Sequence, residues 1–288
     1  MDILLTGAGG FTGQHLSRCA QAAGHRVVPL GANLCDAAAL RAEVGSASFD
    51  SVLHLAGLAF VGHADPAALY AVNTVGTLNL LDALAAAPRR PRRVVLASSA
   101  NVYGNCAQSP IAETQPCAPT NHYAASKMAM EALARTHPGG LPIVIARPFN
   151  YTGVGQSLDF LIPKLVHHYA RRSPSIALGN LDVEREFNDV GYIAQAYLAL
   201  LSGGEPGQTY NLCTGQPHSL RSVLAMLENL TGHSPRIVQD PALMRPNEVH
   251  RLCGDPQRLA AVLQAHSGAQ PQPPTLRHTL QTMLAAAV

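Results

Sequence analysis

The first thirteen residues, MDILLTGAGGFTG, constrain the fold more than any other stretch of the chain. Ile3, Leu4 and Leu5 form a short apolar run of the kind that makes a strand buried on both faces. Thr6 and Gly7 end it. Glycines recur at Gly7, Gly10 and Gly13, and Gln14–Ala23 reads as a helix. In such a strand–turn–helix, one glycine makes the turn and another lets the backbone approach a pyrophosphate. The third lets the helix pack close on the strand. The helix amino terminus then offers free N–H groups and a partial positive charge to an anion. A glycine triplet alone is a weak sign. Its place between a predicted strand and a predicted helix gives it meaning.

Four more apolar runs read as strands: Arg26–Leu30, Ser51–Leu55, Val94–Ala97 and Ile143–Ala146. Helices are predicted between them at Ala37–Glu43, with Asp36 as cap, at Pro66–Ala87 and at Tyr123–Thr136. Strands alternating with helices predict an α/β fold with a doubly wound parallel sheet, covered on both faces. Beyond Pro148, prolines and glycines become frequent and strands shorten. Leu158–Tyr169, Val190–Leu201, Leu220–Leu230 and Leu276–Ala287 read as helices and Thr209–Leu212 as a strand. The pattern predicts a dinucleotide-binding Rossmann domain over residues 1–148, rejoined by 181–214. A smaller C-terminal α/β substrate-binding domain takes 149–180 and 215–288. Ligands of such sheets sit beyond the carboxyl ends of the strands. That rule gathers Gly7–Gly13, Ala56-Gly57, Ser98-Ser99 and Arg147–Asn150 around one crevice.

Composition narrows the function. The chain has 288 residues, 47% of them hydrophobic, enough for a full core. Its 20 Lys+Arg against 18 Asp+Glu argue against a nucleic-acid partner. The basic run Arg89, Arg90, Arg92 and Arg93 precedes a strand and reads as a solvated loop. The six cysteines form no CxxC pair and have no histidine at ligand spacing, so no metal site is expected and free thiols are. No apolar run approaches the roughly 18 residues of a membrane span. A cytoplasmic protein without membrane contact is the expectation.

The chemistry starts at Tyr123 and Lys127, four residues apart and so on one face of a helix. An ammonium beside a phenol favours phenolate, which predicts a lowered Tyr123 pKa and proton exchange with a carbonyl or hydroxyl near neutral pH. Ser99, at the carboxyl end of a strand, can hold the reacting oxygen. A bare YxxxK spacing is common on solvated helix faces. Here it follows a dinucleotide loop and a strand ending in Ser-Ser.

TGxxGxxG, HLAG, SSxxVYG and YxxSK, in this order, resemble the extended short-chain dehydrogenase/reductase superfamily over nearly the whole chain. The later part resembles its GDP-mannose 4,6-dehydratase and GDP-6-deoxy-D-mannose reductase group. The carrying residues are Arg147–Gly153, Gly179-Asn180-Leu181, Arg185–Val190, Arg245–Val249 and Gly254-Asp255. The resemblance implies Tyr123 as general acid, Lys127 as its tuner and holder of the nicotinamide ribose, and Ser99 as the residue orienting the substrate oxygen. It implies a cofactor site of Gly7, Gly10, Phe11, Thr12, Gly13, Gly31, Asn33, Leu34, Leu55, Ala56, Gly57, Asn73 and Pro148, together with Tyr123 and Lys127. It implies a substrate site of Asn101, Asn150 and Asn180, with Arg185 and Arg245 on the diphosphate and Glu248 on the nucleoside ribose. A diphosphate suits arginine forks.

Two departures choose among reactions. Dehydratases of this group carry a carboxylate two residues after the Ser or Thr; here stands Asn101, and an amide cannot abstract a proton. Epimerase-reductases of the group carry a Cys directly after that Ser; here stands Ala100. Carbonyl reduction of a GDP-linked 4-keto-6-deoxyhexose remains, with a 4-epimerase holding NAD as the rival. A non-catalytic dinucleotide sensor is more distant, since Tyr and Lys are both present. The second strand ends in Leu30-Gly31-Ala32 without an acid to hold ribose hydroxyls, which favours NADP over NAD. The helices Pro66–Ala87 and Tyr123–Thr136 resemble the superfamily's dimer-forming pair, implying a homodimer.

Overall fold

The computed structural model describes residues 1–59, 65–243, 249–269 and 272–287. The chain opens β1 (Asp2–Thr6), α1 (Phe11–Ala22), β2 (Arg26–Leu30), α2 (Ala37–Ser46), β3 (Ser51–His54). Next come α3 (Pro66–Tyr70) and α4 (Gly76–Ala85), separated by a π-helical turn at Ala71–Val75. β4 (Val94–Ala97), a 3-10 turn at Ala100–Tyr103, α5 (His122–Thr136) and β5 (Ile143–Pro148) complete the first part. The second part holds β6 (Tyr151–Thr152), α6 (Leu161–Ala170), β7 (Ser175–Leu178), β8 (Glu184–Glu186), β9 (Asn188–Asp189) and α7 (Val190–Gly203). It ends with β10 (Thr209–Leu212), β11 (Pro217–Ser219), α8 (Leu220–Thr231), β12 (Arg236–Gln239), β13 (Arg251–Leu252), α9 (Gln257–Ser267) and α10 (Leu276–Ala286).

Six strands form one parallel sheet in the order β10-β5-β4-β3-β1-β2. Successive side chains on a strand face opposite ways, so both faces must be apolar. Ile3 and Leu5 pack with Leu16 of α1 and Ile193 and Leu200 of α7. Leu4, between them, packs with Leu40 of α2, Leu80 and Leu84 of α4 and Met130 of α5. Leu259 and Leu263 of α9 join the α7 side. The strand order reverses between β1 and β3, the switch point at which such sheets open a crevice.

The remaining strands make small sheets: β11-β8-β13, β12-β7 and β6-β9. Leu165 of α6, Leu224 and Leu227 of α8 and Leu280 of α10 cover Ile176 and Leu178 of β7. Polar caps start the helices where the sequence places them: Asp36 accepts from the N–H of Ala38 and Ala39, and Asn121 from that of Ala124.

Three expectations change. α1 begins at Phe11, not Gln14, so Gly13 lies in its first turn. The helix expected over Pro66–Ala87 is interrupted by the π turn, which tucks the amide of Asn73 into the interior, 1% exposed. α9 is an added helix; Pro256 before it and the left-handed Gly268 after it (φ +73°) are ordinary start and stop signals.

Candidate active site

The glycine loop is as tight as its sequence demands. Gly7 has φ +72°, and a Cβ there would stand 2.8 Å from the Ala56 nitrogen at the end of β3. A Cβ on Gly13 would collide with the Gly7 carbonyl oxygen and lie 2.8 Å from Ala8 Cα. No side chain caps α1, and its first turn holds no acid. Backbone N–H groups of a helix start therefore face a cradle from which side chains are excluded, as a pyrophosphate requires. Thr12 Oγ1 bonds the Tyr151 hydroxyl at 2.7 Å, and Phe11 stacks on the Tyr151 ring with centroids 6.2 Å apart.

The opposite wall is held by a buried chain. Thr77 Oγ1 donates to Asn73 O (2.8 Å), so it accepts from His54 Nε2 (2.9 Å). His54 Nδ1 then carries a lone pair and accepts from Thr6 Oγ1 (2.7 Å), which in turn accepts from the Ala56 N–H (3.0 Å). Burial pushes His54 down to about 3, which keeps it neutral. Asn73 accepts from the Leu58 N–H (2.9 Å) and donates to Leu58 O (3.1 Å) and Ser126 Oγ (3.0 Å). Its amide thus positions the Leu55–Gly57 turn.

At the ends of β4 and α5, Tyr123, Ser99 and Lys127 come together, all buried. Ser99 stands beside the Tyr123 hydroxyl and favours its ionised form. Its Oγ also accepts from the N–H of Asn101 (3.2 Å) and from Asn101 Nδ2 (3.1 Å). Lys127 Nζ donates to Ala97 O at 2.8 Å and lies beside Gly57, where a Cβ would approach it to 3.3 Å. The expected phenolate is not what the protein holds. Burial raises Tyr123 to about 12, with Ser99 pulling the other way, and Lys127 gives its hydrogen bond to a backbone carbonyl instead. Tyr123 is therefore a neutral phenol, the form a proton donor needs. Burial lowers Lys127 to about 8, while the charge of Glu131 opposes that fall.

One turn beyond Lys127, Glu131 accepts from Ser98 Oγ (2.6 Å), Arg147 Nε (2.9 Å) and Arg147 Nη2 (2.6 Å). Arg147 also covers the Tyr103 ring, 4.7 Å from its centroid. Burial by itself would lower the Arg147 pKa, but the bonds and charge of Glu131 lift it. This pair ties α5 to β5 and to Ser98, the neighbour of Ser99.

At the end of β2, Thr6 stands opposite Leu30, which puts Gly31 beside Gly7. An acid stands here after all. Glu43 of α2 accepts from the N–H of Gly31 (2.8 Å) and of Ala32 (2.7 Å). Asn33 is exposed, its side chain turned onto the Cys35 N–H (3.0 Å), while Leu34 is buried against Gly76. Pro148 ends β5, and Asn150 just beyond it is exposed at the rim of the crevice.

The far rim is built by polar contacts within the second part. Asn180 accepts from the Asp182 N–H at 2.9 Å. Arg185 donates to the carbonyls of Glu184 (2.8 Å), His250 (3.1 Å) and Val249. Arg245 and Glu248 lie outside the described residues.

A family model described as the NAD dependent epimerase/dehydratase family matches residues 3–213. The chain belongs to that family. Among its relatives, GDP-6-deoxy-D-mannose reductase of Pseudomonas aeruginosa is 37% identical over 89% of both chains. GDP-6-deoxy-D-talose 4-dehydrogenase of Aggregatibacter actinomycetemcomitans is 32% identical over 91% of both. The structure of RMD from Pseudomonas aeruginosa complexed with NADPH superposes with a TM-score of 0.88 at 34% identity, covering 99% of this chain and 97% of that one. No helix among the described residues is long and apolar enough to cross a membrane.

For this family member, sequence reasoning passed over Glu131, Glu43, Tyr151 and Glu186. Glu131 could have been found, because it stands four residues after Lys127 on the same helical face. Glu186, fully buried, accepts from the N–H groups of Gly254 (2.6 Å), Thr214 (2.8 Å) and Gly215 (3.2 Å). No local pattern announces partners 28 to 68 residues away.

Proposed function

We propose that the protein is an NAD(P)H-dependent reductase of the 4-keto group of a nucleotide-linked 4-keto-6-deoxy sugar. GDP-4-keto-6-deoxy-D-mannose is the leading substrate, and a GDP-6-deoxyhexose of rhamnose or talose type the product. The observation that carries this reading is a neutral Tyr123 beside Ser99, with Asn101, where a dehydratase needs a carboxylate, bonded to Ser99. The names of the two relatives support the GDP-linked deoxyhexose.

When bound, the nicotinamide supplies a hydride to the carbonyl carbon. Tyr123 gives its proton to the forming alkoxide, and Ser99 stabilises the same oxygen as charge develops. The Lys127 ammonium, one helical turn along, would stabilise the tyrosinate left behind and hold the ribose of the cofactor. The uncapped start of α1, with Gly7, Gly10 and Gly13, takes the pyrophosphate. Phe11, Thr12, Asn33, Leu34, the Leu55–Gly57 turn, Asn73 and Pro148 shape the rest of that site. Asn150, Asn180, Arg185, Arg245 and Glu248 belong to the sugar nucleotide. NADP leads the reading, as in the NADPH complex of the superposed structure, and NAD is second. The reading includes a cytoplasmic location and a homodimer through the helices of residues 66–85 and 122–136. Val75 and Met128 on these are 51% and 40% exposed.

The test is the loss of nicotinamide absorbance with NADPH or NADH and enzymatically prepared GDP-4-keto-6-deoxy-D-mannose. Loss that depends on the sugar is expected. No loss, with NAD retained through purification and interconversion of 4-epimers, would make the protein an epimerase.

A further inference from the structure

A hydroxyl oxygen has two lone pairs and one proton. At Ser99 both lone pairs are taken, one by the N–H of Asn101 and one by its side-chain Nδ2. The first bond comes with the fold, since Ser99 caps the 3-10 turn of Ala100–Tyr103. The second exists only because residue 101 is an amide. With its acceptor capacity filled, Ser99 can act only as a donor. Its one proton is therefore turned away from Asn101 and into the crevice, beside the Tyr123 hydroxyl.

We propose that Asn101 is a positioning residue that sets the direction of a donor chain running Asn101 → Ser99 → reacting oxygen, beside the Tyr123 donor. The two catalytic hydroxyls, Ser99 and Tyr123, then both present protons toward a carbonyl oxygen, as reduction requires. A carboxylate at the same place has acceptors only. It would draw the Ser99 proton toward itself, and the proton meant for the substrate oxygen would point backward. Asn101 is thus more than a missing base, because it chooses the polarity of the site. Bonds aligned in one direction also strengthen one another.

This inference rests on the reductase reading for its kinetics but not for its geometry, and the experiment separates the two. In a neutron structure of the perdeuterated protein, the Ser99 deuteron is expected to point into the crevice, away from Asn101, and the Asn101 amide deuterons toward Ser99. A Ser99 deuteron directed at the Asn101 side chain overturns the proposal whatever the substrate is.

The kinetic arm uses Asn101→Asp, which keeps shape and changes only the donor. At pH 8 its kcat is expected to fall by about 10²-fold, the cost of losing one donor to a developing oxyanion. The rate recovers as the pH is lowered and the carboxyl regains a proton to donate, a trend the parent lacks. Dissociation constants for NADPH and NADH, read by cofactor fluorescence, stay within about twofold, and Asn101→Ala falls between parent and Asp variant. An Asp variant with the parent's rate and pH profile overturns the proposal. A parent inactive with keto sugars sinks the reductase reading, and the neutron arm still decides the polarity.

Discussion

The two rims of the crevice are made differently. On the proposed nicotinamide side, each chemical group stands at the end of a parallel strand or on the first turns of the next helix, where the sheet brings it to its partners. Asn101 sets Ser99, and Tyr123 and Lys127 share one helical face. On the sugar-nucleotide side, the polar groups hold distant segments together. Glu186 ties β8 to the loops at Thr214 and Gly254, and Arg185 ties it to the carbonyls of 249 and 250. Catalysis can be assembled locally because the sheet brings strand ends together by itself. A substrate rim has no such framework and must be stapled by long-range polar bonds, which makes its residues structural as well as functional.

The sharpest break of this contrast is Tyr123→Phe. It removes the proton donor while leaving the fold, so kcat should drop about 10³- to 10⁴-fold with the cofactor dissociation constant unchanged. Retained turnover would end the role. On the other rim, Glu186→Ala orphans three N–H groups, that of Gly254 buried and those of Thr214 and Gly215 partly so. A loss of about 3 kcal/mol is expected, seen as a fall in Tm on the order of 5–10 °C and early proteolysis of the second part.

The Lys127 charge gives a pH test. Its kcat/KM should fall about tenfold per pH unit above the Lys127 pKa of about 8, and Lys127→Arg should remove that limb. Unfolding does not explain the limb. Between about 8 and the ordinary 10.5 the unfolded chain binds the proton and the folded one does not, so this group's contribution to stability rises with pH there.

Arg185→Ala sharpens the comparison from the substrate side. A residue both structural and functional should raise KM for the nucleotide sugar about tenfold and lower Tm slightly, with kcat within about twofold. A change in Tm alone would make Arg185 a staple only. The smallest effect is expected at Glu43→Gln. Removing this charge from the end of β2 should improve NADPH binding relative to NADH by about three- to tenfold in cofactor fluorescence.

What could be read without the fold follows the same divide. The glycine loop, the strand runs and the Tyr123–Lys127 spacing are local, and their elements form within a few residues of where the pattern puts them. The π turn at Ala71–Val75 escaped because it inserts into a helix that runs on from both sides, and no Gly or Pro within it marks it. Its one signal is a polar Asn73 on the buried face. Glu43 escaped because the acid near β2 comes from the following helix rather than from the strand itself.

The sequence by itself determined the parallel sheet, the tight glycine turn after its first strand and the placing of Tyr123 and Lys127 on one helical face. These depend on side-chain periodicity, glycine stereochemistry and spacing along one helix. Only the tertiary structure decided that Tyr123 is a neutral phenol rather than a phenolate, that Ser99 is held as a donor, and that Arg185 and Glu186 bind the second part together. Protonation depends on burial, and bond direction depends on which groups meet from distant segments. Neither is written in the order of residues.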